Sequence, residues 1–434
     1  MCQSVAESYA GKSIFITGCT GFLGKVLLEK ILYSCSDVKK VYILLRGKRG
    51  LTVQERLNTM LEFNREKAKF SDKIEPIVGD VGQEGLGISP EDRVTLINEV
   101  SYVFHAAASI KFVAPLHDLL NINVKGTERV LSLCKCMKKL EVIHVSTAYS
   151  NTHSIFIEEK VYPSTIPLSE VDHLIKEQPD EERTKMIIGK SRPNAYTFSK
   201  KLGEALLAEK HGHVPVIIIR PSIVTASLSE PIPGWIDNWN GATGLIGTIS
   251  KGILRVLPGN GRNVLDLIPV DYVGNLTIVA ATKKILVNVY ACATSTEKPL
   301  TLKDLLNLTT ISNELPFPDV YFTNYKFLLV FLSAVLQTSP LTLADALLRI
   351  SGKDPKYVIS IHKQVRDVLE VFTTNSWKFS TMNNYCLFSS LSPSDQKTFP
   401  FSPSLINWSE YIPIYFDGMV KYLFKKNPVS SALS

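Results

Sequence analysis

The chain has 434 residues, of which 45% are hydrophobic and 21% are charged, and its formal net charge is +7. This length and composition exclude a disordered or collagen-like chain and predict a globular protein of two domains. The positive charge forms no dense block of lysine and arginine, which argues against nucleic acid as a partner and suits phosphate-rich ligands or an anionic membrane.

The first predicted element is a strand that leads through a glycine-rich turn into a helix. The apolar run 12–16 predicts a buried strand, and apolar residues at helical spacing over 25–32 predict a helix. Between them lies Thr17-Gly18-Cys19-Thr20-Gly21-Phe22-Leu23-Gly24. Two of its glycines, Gly18 and Gly21, allow a tight turn beside a pyrophosphate, and Gly24 allows the helix to pack closely on the sheet. The predicted dinucleotide site comprises Gly18, Thr20, Gly21, Phe22, Leu23 and Gly24.

The residues after the second predicted strand, 40–45, indicate which nucleotide binds. An NAD site has Asp or Glu there to accept a hydrogen bond from the ribose 2′-hydroxyl. This chain has Arg46 and Lys48 instead, whose positive charges can pair with a 2′-phosphate. We therefore predict NADPH as the cofactor. The Gly-x-x-Gly-x-x-Gly spacing resembles the extended short-chain dehydrogenase/reductase superfamily.

Further strands alternate with helices along the chain. Apolar runs predict strands over 74–78, 102–106, 141–145 and 214–219, and a long helical pattern covers 116–137. This alternation predicts an α/β fold with a Rossmann-type doubly wound parallel sheet. Asp80 and Val81 follow the third strand, where Asp80 would bind the adenine amino group. The other predicted cofactor-binding residues are Ala107, Asn123, Lys200, Pro221 and Ile223.

The predicted chemical centre is a tyrosine and a lysine on one helix. Tyr196 and Lys200 are four residues apart at the start of an amphipathic pattern, so they lie on the same helical face. There the ammonium would lower the pKa of the phenol and bind the nicotinamide ribose, while the phenol would donate a proton to a carbonyl oxygen. A second pair with this spacing, Tyr422 and Lys426, follows no cofactor-binding unit and is predicted to be structural.

Two hydroxyl groups end the predicted strand before this helix. Ser146 and Thr147 lie at the carboxyl edge of the sheet, where doubly wound folds bind ligands. Because neighbouring strand residues face opposite ways, one of them is expected to hold the substrate carbonyl, and Thr147 is favoured over Ser146. His144 lies within the strand and is predicted to be a hydrogen-bonded core residue.

The pattern breaks at two insertions, 151–192 and 225–245, which are predicted to form part of the substrate wall or a lid. A later strand is predicted over 287–293, and helices are predicted over 302–308, 341–350 and 359–371. We therefore predict a cofactor-binding domain over 1–299 and a smaller, mainly helical domain over 300–434.

The apolar run 327–336 bears on membrane attachment. It is shorter than the about 20 residues of a spanning helix, and predicts a helix that is either buried in the second domain or interfacial. A surface formed by 325–336 with Trp235 and Trp239 predicts peripheral membrane association. No signal peptide is predicted. Seven cysteines in no metal-like array indicate a reducing compartment, and no metal site is predicted.

Five ordered motifs beyond the glycine turn carry a more specific resemblance. They are His144-Val145-Ser146-Thr147-Ala148-Tyr149, Pro193-Asn194-Ala195-Tyr196-Thr197-Phe198-Ser199-Lys200, Arg220-Pro221-Ser222-Ile223-Val224, Pro233-Gly234-Trp235-Ile236-Asp237-Asn238 and Ile268-Pro269-Val270-Asp271-Tyr272-Val273. Together with 372–377 and 407–411, they resemble the fatty acyl-CoA reductases of eukaryotes, particularly insects, over nearly the whole chain.

The resemblance implies that a long-chain acyl-CoA is reduced by NADPH to a fatty alcohol, through an aldehyde, in two hydride transfers. Tyr196 would donate protons, Lys200 would support it, and Thr147 or Ser146 would orient the carbonyl. The resemblance also implies a peroxisomal or endoplasmic reticulum surface. Many relatives carry a hydrophobic tail after the position of 421–424, whereas polar or small residues follow here, so anchoring by that route is not expected.

Two alternatives stay open at this point. One is another NADP-linked carbonyl reductase, or a sugar-nucleotide or steroid dehydrogenase, of the same superfamily. The other is a non-catalytic relative that binds lipid or cofactor.

Overall fold

The computed structural model describes residues 3–47, 52–61, 71–112, 114–137, 140–189, 193–283, 286–311, 319–350 and 370–424. The chain forms two compact units that interleave along the sequence. The first comprises Met1–Ser222, Val270–Ala293 and Phe379–Leu405, and the second comprises Ile223–Pro269, Thr294–Lys378 and Ile406–Ser434.

The first unit is built on a seven-stranded sheet in which every neighbouring pair is parallel. Its strands are β1 (Ser13–Thr17), β2 (Lys40–Leu45), β3 (Ile74–Val78), β4 (Val100–His105), β5 (Glu141–Val145), β7 (Val216–Pro221) and β11 (Val287–Cys292), with the short β6 (Phe156–Ile157) outside this sheet. The spatial order is β3-β2-β1-β4-β5-β7-β11. The order reverses between β1 and β4, which is where doubly wound sheets bind ligands beyond their carboxyl ends.

Helices of the first unit connect these strands, and all helices are numbered in chain order through both units. They are α1 (Val5–Tyr9), α2 (Phe22–Ser34), α3 (Val53–Leu61), α4 (Pro90–Glu99), α5 (Leu116–Leu120), α6 (Gly126–Cys134), α7 (Glu170–Glu177), α8 (Glu181–Ile188), α9 (Ala195–Lys210), α11 (Val270–Ala280), α15 (Met382–Ser389) and α16 (Pro393–Thr398). A π-helical turn, Asn121–Lys125, joins α5 to α6.

The core of the first unit lies on both faces of its sheet. Every residue of β1 and of β7 is buried, as expected for parallel strands covered on both sides. On one face, α2 and α11 pack against each other. This burial fixes the strand ends that carry the candidate site.

The second unit combines short strands with helices. Its strand pairs are parallel: β8 (Ile223–Thr225) with β10 (Leu267–Pro269), and β9 (Val256–Pro258) with β12 (Tyr321–Thr323). Its helices are α10 (Ala242–Ser250), α12 (Leu302–Ile311), α13 (Lys326–Ser333), α14 (Ser339–Ile350) and α17 (Trp408–Met419). The turn Ala334–Thr338 is π-helical and joins α13 to α14. Strand β13 (Lys378–Phe379) lies where the chain passes from the second unit to the first.

The predicted α/β fold is confirmed, and the strands predicted over 74–78 and 141–145 have those bounds. The helix predicted over 116–137 is interrupted by the π-helical turn and ends at Cys134. The helix predicted over 359–371 lies almost wholly outside the described residues. The division into domains 1–299 and 300–434 stays a prediction.

Candidate active site

The glycine turn between β1 and α2 leaves no room for side chains at two positions. Gly18 has a φ of +84°, and a Cβ there would lie 2.6 Å from the backbone of residues 106–107. A Cβ on Gly24 would lie 2.1 Å from the carbonyl oxygen of Gly18. The helix is preceded by Gly21, which has no side chain to bond the first-turn amides, so these amides can bind an anion. This backbone cradle fits a dinucleotide pyrophosphate. The other predicted residues lie along the turn, with Thr20 exposed and Phe22 and Leu23 half-buried.

The ends of β2 and β3 bring Arg46 and Asp80 together. The Arg46 Nη1 lies 3.7 Å from the Asp80 Oδ2, and the Arg46 side chain is 66% exposed. The other carboxylate oxygen of Asp80 accepts a hydrogen bond from the Gly82 amide at 2.8 Å. Val81 is buried in the core, and Lys48 lies outside the described residues. One cation and one carboxylate therefore lie at the sheet edge where the adenosine end of a dinucleotide is expected.

Helix α9 carries Tyr196 and Lys200 in its first two turns. Asn194 caps this helix by accepting a hydrogen bond from the Thr197 amide at 2.9 Å. The Lys200 Nζ donates to the carbonyl oxygen of Val145 at 2.6 Å, which fixes the ammonium beside the end of β5. Tyr196 is partly buried, and its ring contacts the edge of Phe112 with the ring centroids 5.5 Å apart.

Burial changes the protonation of both groups. It lowers the pKa of Lys200 to about 8, against the opposing effect of the Glu204 carboxylate. It raises the pKa of Tyr196, so the sequence-based prediction of a lowered phenol pKa is wrong for this structure. The reason is that burial disfavours the phenolate. The phenol is therefore held in its protonated form, which is the form that can donate.

The Asn123 side chain links two segments of the candidate site by hydrogen bonds. Its Oδ1 accepts from the Ser109 amide at 2.8 Å, and its Nδ2 donates to the Ser109 carbonyl at 3.0 Å and to the Ser199 Oγ at 2.9 Å. Ser199 in turn donates to the carbonyl oxygen of Tyr196 at 2.7 Å. The side chain predicted to bind the cofactor thus joins the segment after β4 to α9. Ala107, in the same segment, is half-buried, and its amide donates to Thr17.

The two strand-end hydroxyl groups have different partners. The Ser146 Oγ donates to the Oε1 of Glu204 at 2.5 Å, since a carboxylate can only accept. The Thr147 Oγ1 accepts from the Tyr149 amide at 3.3 Å, which leaves it a proton to donate. Ser146 is therefore committed to Glu204, whereas the Thr147 hydroxyl group keeps its donor capacity.

Two histidines lie beneath Lys200. His105 bonds Thr17 at 2.8 Å and Thr127 at 3.1 Å through its two ring nitrogens. The His144 ring is buried 5.2 Å from that of His105, between centroids. The core position predicted for His144 is confirmed, but neither of its ring nitrogens has a hydrogen-bond partner within the described part of the chain, so the predicted hydrogen bonding is wrong. Burial lowers the pKa of His105 to about 3 and that of His144 well below its usual value, which keeps both rings neutral.

The residues brought together belong to the first unit. Pro221 ends β7 in that unit, whereas Ile223 lies in β8 of the second. Sequence reasoning gave no role to Glu204, Arg220 or Phe112. The helical spacing of Glu204 from Lys200 was an available signal, because residues four apart share a helical face.

Two family models match the chain, both described as "Male sterility protein". The first, an NAD-binding model, matches residues 16–277, and the second matches residues 336–426. Named relatives include fatty acyl-CoA reductase 1 of Xenopus laevis and fatty acyl-CoA reductase 2 of Mus musculus, both 38% identical, and fatty acyl-CoA reductase 1 of Rattus norvegicus, 39% identical. Each alignment covers 98% of this chain and 87% of the relative. The chain belongs to the fatty acyl-CoA reductase family.

This membership confirms the resemblance and identifies an oxidoreductase with a nicotinamide-cofactor-binding domain. Solved structures are similar in fold. The terminal R domain from the myxalamid PKS-NRPS biosynthetic pathway has a TM-score of 0.68 at 21% identity, covering 96% of this chain and 93% of that one. UDP-glucuronic acid 4-epimerase from Bacillus cereus, in complex with NAD, has a TM-score of 0.56 at 16% identity, covering 97% and 100%. At these identities the likeness concerns the fold alone.

Proposed function

We propose that this fatty acyl-CoA reductase family member reduces a long-chain acyl-CoA to the fatty alcohol, with NADPH as the reductant. The observation that carries the proposal is the arrangement of Tyr196, Lys200 and Thr147 at the ends of α9 and β5, in a chain whose relatives are named for this activity. Bound NADPH would supply the hydride in each of the two reductions.

Charge at the adenosine end supports NADPH over NADH. Arg46 is largely exposed and lies 3.7 Å from Asp80, so its guanidinium group is accessible to a ligand phosphate. An acidic residue at the end of β2, which would bind a ribose 2′-hydroxyl, is replaced by this cation. The glycine cradle at 18–24 would hold the pyrophosphate.

The proposed roles follow from hydrogen-bonding capacity. The Tyr196 phenol, held protonated, donates to the carbonyl oxygen as negative charge develops there. Thr147 donates a second hydrogen bond to the same oxygen and orients it. Lys200 is anchored on the Val145 carbonyl one helical turn beyond Tyr196 and would bind the nicotinamide ribose. After the first reduction the former thioester carbon bears the hydride and a hydroxyl group. Its C–S bond breaks as the hydroxyl proton passes to sulfur, so CoA leaves as the thiol and an aldehyde remains. A second hydride at the aldehyde carbon and a second proton from Tyr196 at its oxygen give the alcohol.

The experiment is an incubation of purified protein with NADPH and palmitoyl-CoA, with products identified by mass spectrometry. Hexadecanol is the expected product. Recovery of unchanged palmitoyl-CoA, with NADPH binding intact, would contradict the proposed function.

We also propose that the protein associates peripherally with a membrane through the helix formed by α13, the π-helical turn and α14. Within the described residues, Lys326–Leu343 is long and apolar enough to cross a membrane by length and composition, and only 11% of it is buried. Of the two alternatives predicted for this segment, the helix buried in the second domain is therefore wrong, and the interfacial helix remains.

The exposed and buried faces of this helix support docking rather than spanning. Polar residues face inward, because Ser333 and Gln337 are buried and the Gln337 Oε1 accepts from the Arg255 and Val256 amides at 2.6 and 2.7 Å. The large exposed apolar side chains of this segment are Tyr325, Phe327, Leu328, Val330, Phe331, Val335 and Leu343. An apolar surface of this kind marks an interaction site. The predicted contribution of Trp235 is wrong, since this residue is buried, and the partly buried Trp239 ring packs against Phe424.

Cell fractionation followed by an alkaline carbonate wash tests this attachment. We propose the peroxisome or endoplasmic reticulum as the compartment, and expect protein in the membrane fraction that the wash releases. Protein retained after the wash would indicate a spanning segment, and protein absent from every membrane fraction would contradict docking.

A further inference from the structure

A buried ion pair lies directly behind the candidate site. Glu204 on α9 and Arg220 at the end of β7 are each 2% exposed, and they meet through two contacts. The Arg220 Nη2 donates to the Glu204 Oε2 at 2.6 Å, and the Nε donates to the Oε1 at 3.0 Å. A buried pair of this type loses much of its Coulomb attraction to desolvation, so stability alone does not explain it.

The pair joins the segments that carry the proposed catalytic groups. Glu204 accepts from Ser146 at 2.5 Å and from Ser150 at 3.0 Å, on either side of Thr147. Arg220 donates to the backbone carbonyls of Glu158 at 3.1 Å and Lys160 at 2.8 Å, at the start of the insertion 151–192. The end of β5 is thus held by side-chain hydrogen bonds to Glu204 as well as by the sheet, where the Ser146 amide donates to the carbonyl oxygen of Ile219.

Glu204 also lies one helical turn after Lys200, on the same face of α9. The titratable groups that interact with Lys200 are Glu204 from its own helix, His105 from β4 and His144 from β5, and Tyr196 lies one turn before it on that helix. Burial keeps the phenol and both imidazoles neutral. Glu204 therefore opposes the effect of burial and raises the pKa of Lys200.

We infer that Glu204 and Arg220 are a positioning pair for the proposed reaction. Glu204 fixes the strand end that carries Thr147 and supplies the negative charge facing Lys200. The positive charge of Arg220 partly neutralises that negative charge. This inference rests on the proposed function. Neither residue contacts the reacting atoms, so both act through Ser146, Thr147 and Lys200.

The test compares E204Q with R220M by the pH dependence of NADPH binding and of kcat/KM for palmitoyl-CoA. NADPH affinity should fall as pH rises through the pKa of Lys200, about 8, because the ammonium is lost. In E204Q the midpoint of this loss of affinity should move to lower pH by about one unit, since the Glu204 anion is gone and the Arg220 cation has lost its counter-ion. In R220M the midpoint should not move to lower pH, because the Glu204 carboxylate loses its counter-ion and keeps its effect on Lys200. E128Q alters a different pair, Glu128 with Lys125 and Lys210, and should leave the profile unchanged.

If the pair were purely structural, both substitutions would lower activity without separating the pH profiles of the two variants. A shift of the midpoint in the same direction in E204Q and R220M would overturn the inference. If E204Q does not fold, S146A removes one contact only. It should lower kcat several-fold with the KM for NADPH and the alkaline midpoint unchanged, and an unaltered kcat would contradict the positioning role. NADPH binding can be measured without turnover, so failure of the unsubstituted protein to reduce palmitoyl-CoA would count against the proposed function separately.

Discussion

At the scale of single residues, the proposed chemistry depends on where protons are held. Tyr196 is kept protonated by burial, Lys200 is tied to Val145, and the hydroxyl proton of Ser146 is committed to Glu204. Thr147 is then the strand-end hydroxyl that can donate to a substrate. The sequence indicated Tyr196 and Lys200 by their spacing, but it could not separate Ser146 from Thr147, because that choice depends on a partner 58 residues away.

Substitution of the tyrosine tests its role as proton donor. Tyr196→Phe keeps the ring and removes the hydroxyl group, so kcat should fall by about 10²–10⁴-fold while NADPH affinity changes little. Steady-state kinetics and fluorescence titration of NADPH measure the two effects. Tyr422→Phe is the matched control, since Tyr422 has the same spacing to a lysine and lies outside the first unit. Equal losses in the two variants would place the chemistry elsewhere.

Substitution of Arg46 tests nucleotide preference. A charge-assisted hydrogen bond contributes about 1.5–3 kcal/mol, and screening of a side chain that is 66% exposed favours the lower end, or about tenfold in affinity. Arg46→Ala should therefore weaken NADPH binding by about tenfold and leave NADH binding nearly unchanged. Lys12→Ala, at the opposite end of β1, should affect neither nucleotide. Equal affinity of the unsubstituted protein for NADH and NADPH would contradict the assignment.

At the scale of elements, the strands and the glycine turn follow directly from the sequence, because local apolar runs and glycine positions specify them. The buried network around Glu204 does not, since it joins residues distant in the chain whose hydrogen-bond partners are chosen by tertiary packing. The apolar run 327–336 shows a related limit. Its helical character was readable, but the sequence alone left open whether Gln337 or Phe327 faced inward.

Glycine substitutions test the turn between β1 and α2. Gly24→Ala would place a Cβ 2.1 Å from a backbone oxygen, so we expect a lower melting temperature and loss of NADPH binding. Gly274→Ala is the control, because its Cβ would meet only Val26, at 3.7 Å. Alanine is favoured over glycine in a helix by about 1 kcal/mol, so this variant should melt at the same or a higher temperature. Normal NADPH binding by Gly24→Ala would contradict the proposed cradle.

The exposed helix can be tested with vesicles. Burying a phenylalanine contributes about 1.5–3 kcal/mol, so replacing both Phe327 and Phe331 by Glu should reduce binding to anionic phospholipid vesicles by more than about tenfold. Sedimentation with vesicles gives the bound fraction. Val94→Glu alters an exposed apolar residue of the first unit and should leave binding unchanged. If all variants sediment alike, this helix is not the docking surface.

At the scale of the whole molecule, family membership and fold agree, while the likeness to an epimerase shows that the fold by itself does not specify the reaction. The roles proposed for Tyr196, Lys200 and Thr147 suit reduction of a carbonyl group, and the acyl-CoA substrate comes from the family. The apolar helix adds a route by which a protein acting on long acyl chains would work at a lipid surface.

The most direct test of the central claim is the stoichiometry of a single reaction mixture that contains purified protein, NADPH and palmitoyl-CoA. NADPH oxidation, free CoA thiol and hexadecanol are measured together by absorbance, thiol titration and mass spectrometry. We expect two NADPH to be oxidised for each CoA thiol released and each hexadecanol formed. NADPH oxidation without thiol release, or thiol release without NADPH oxidation, would contradict it.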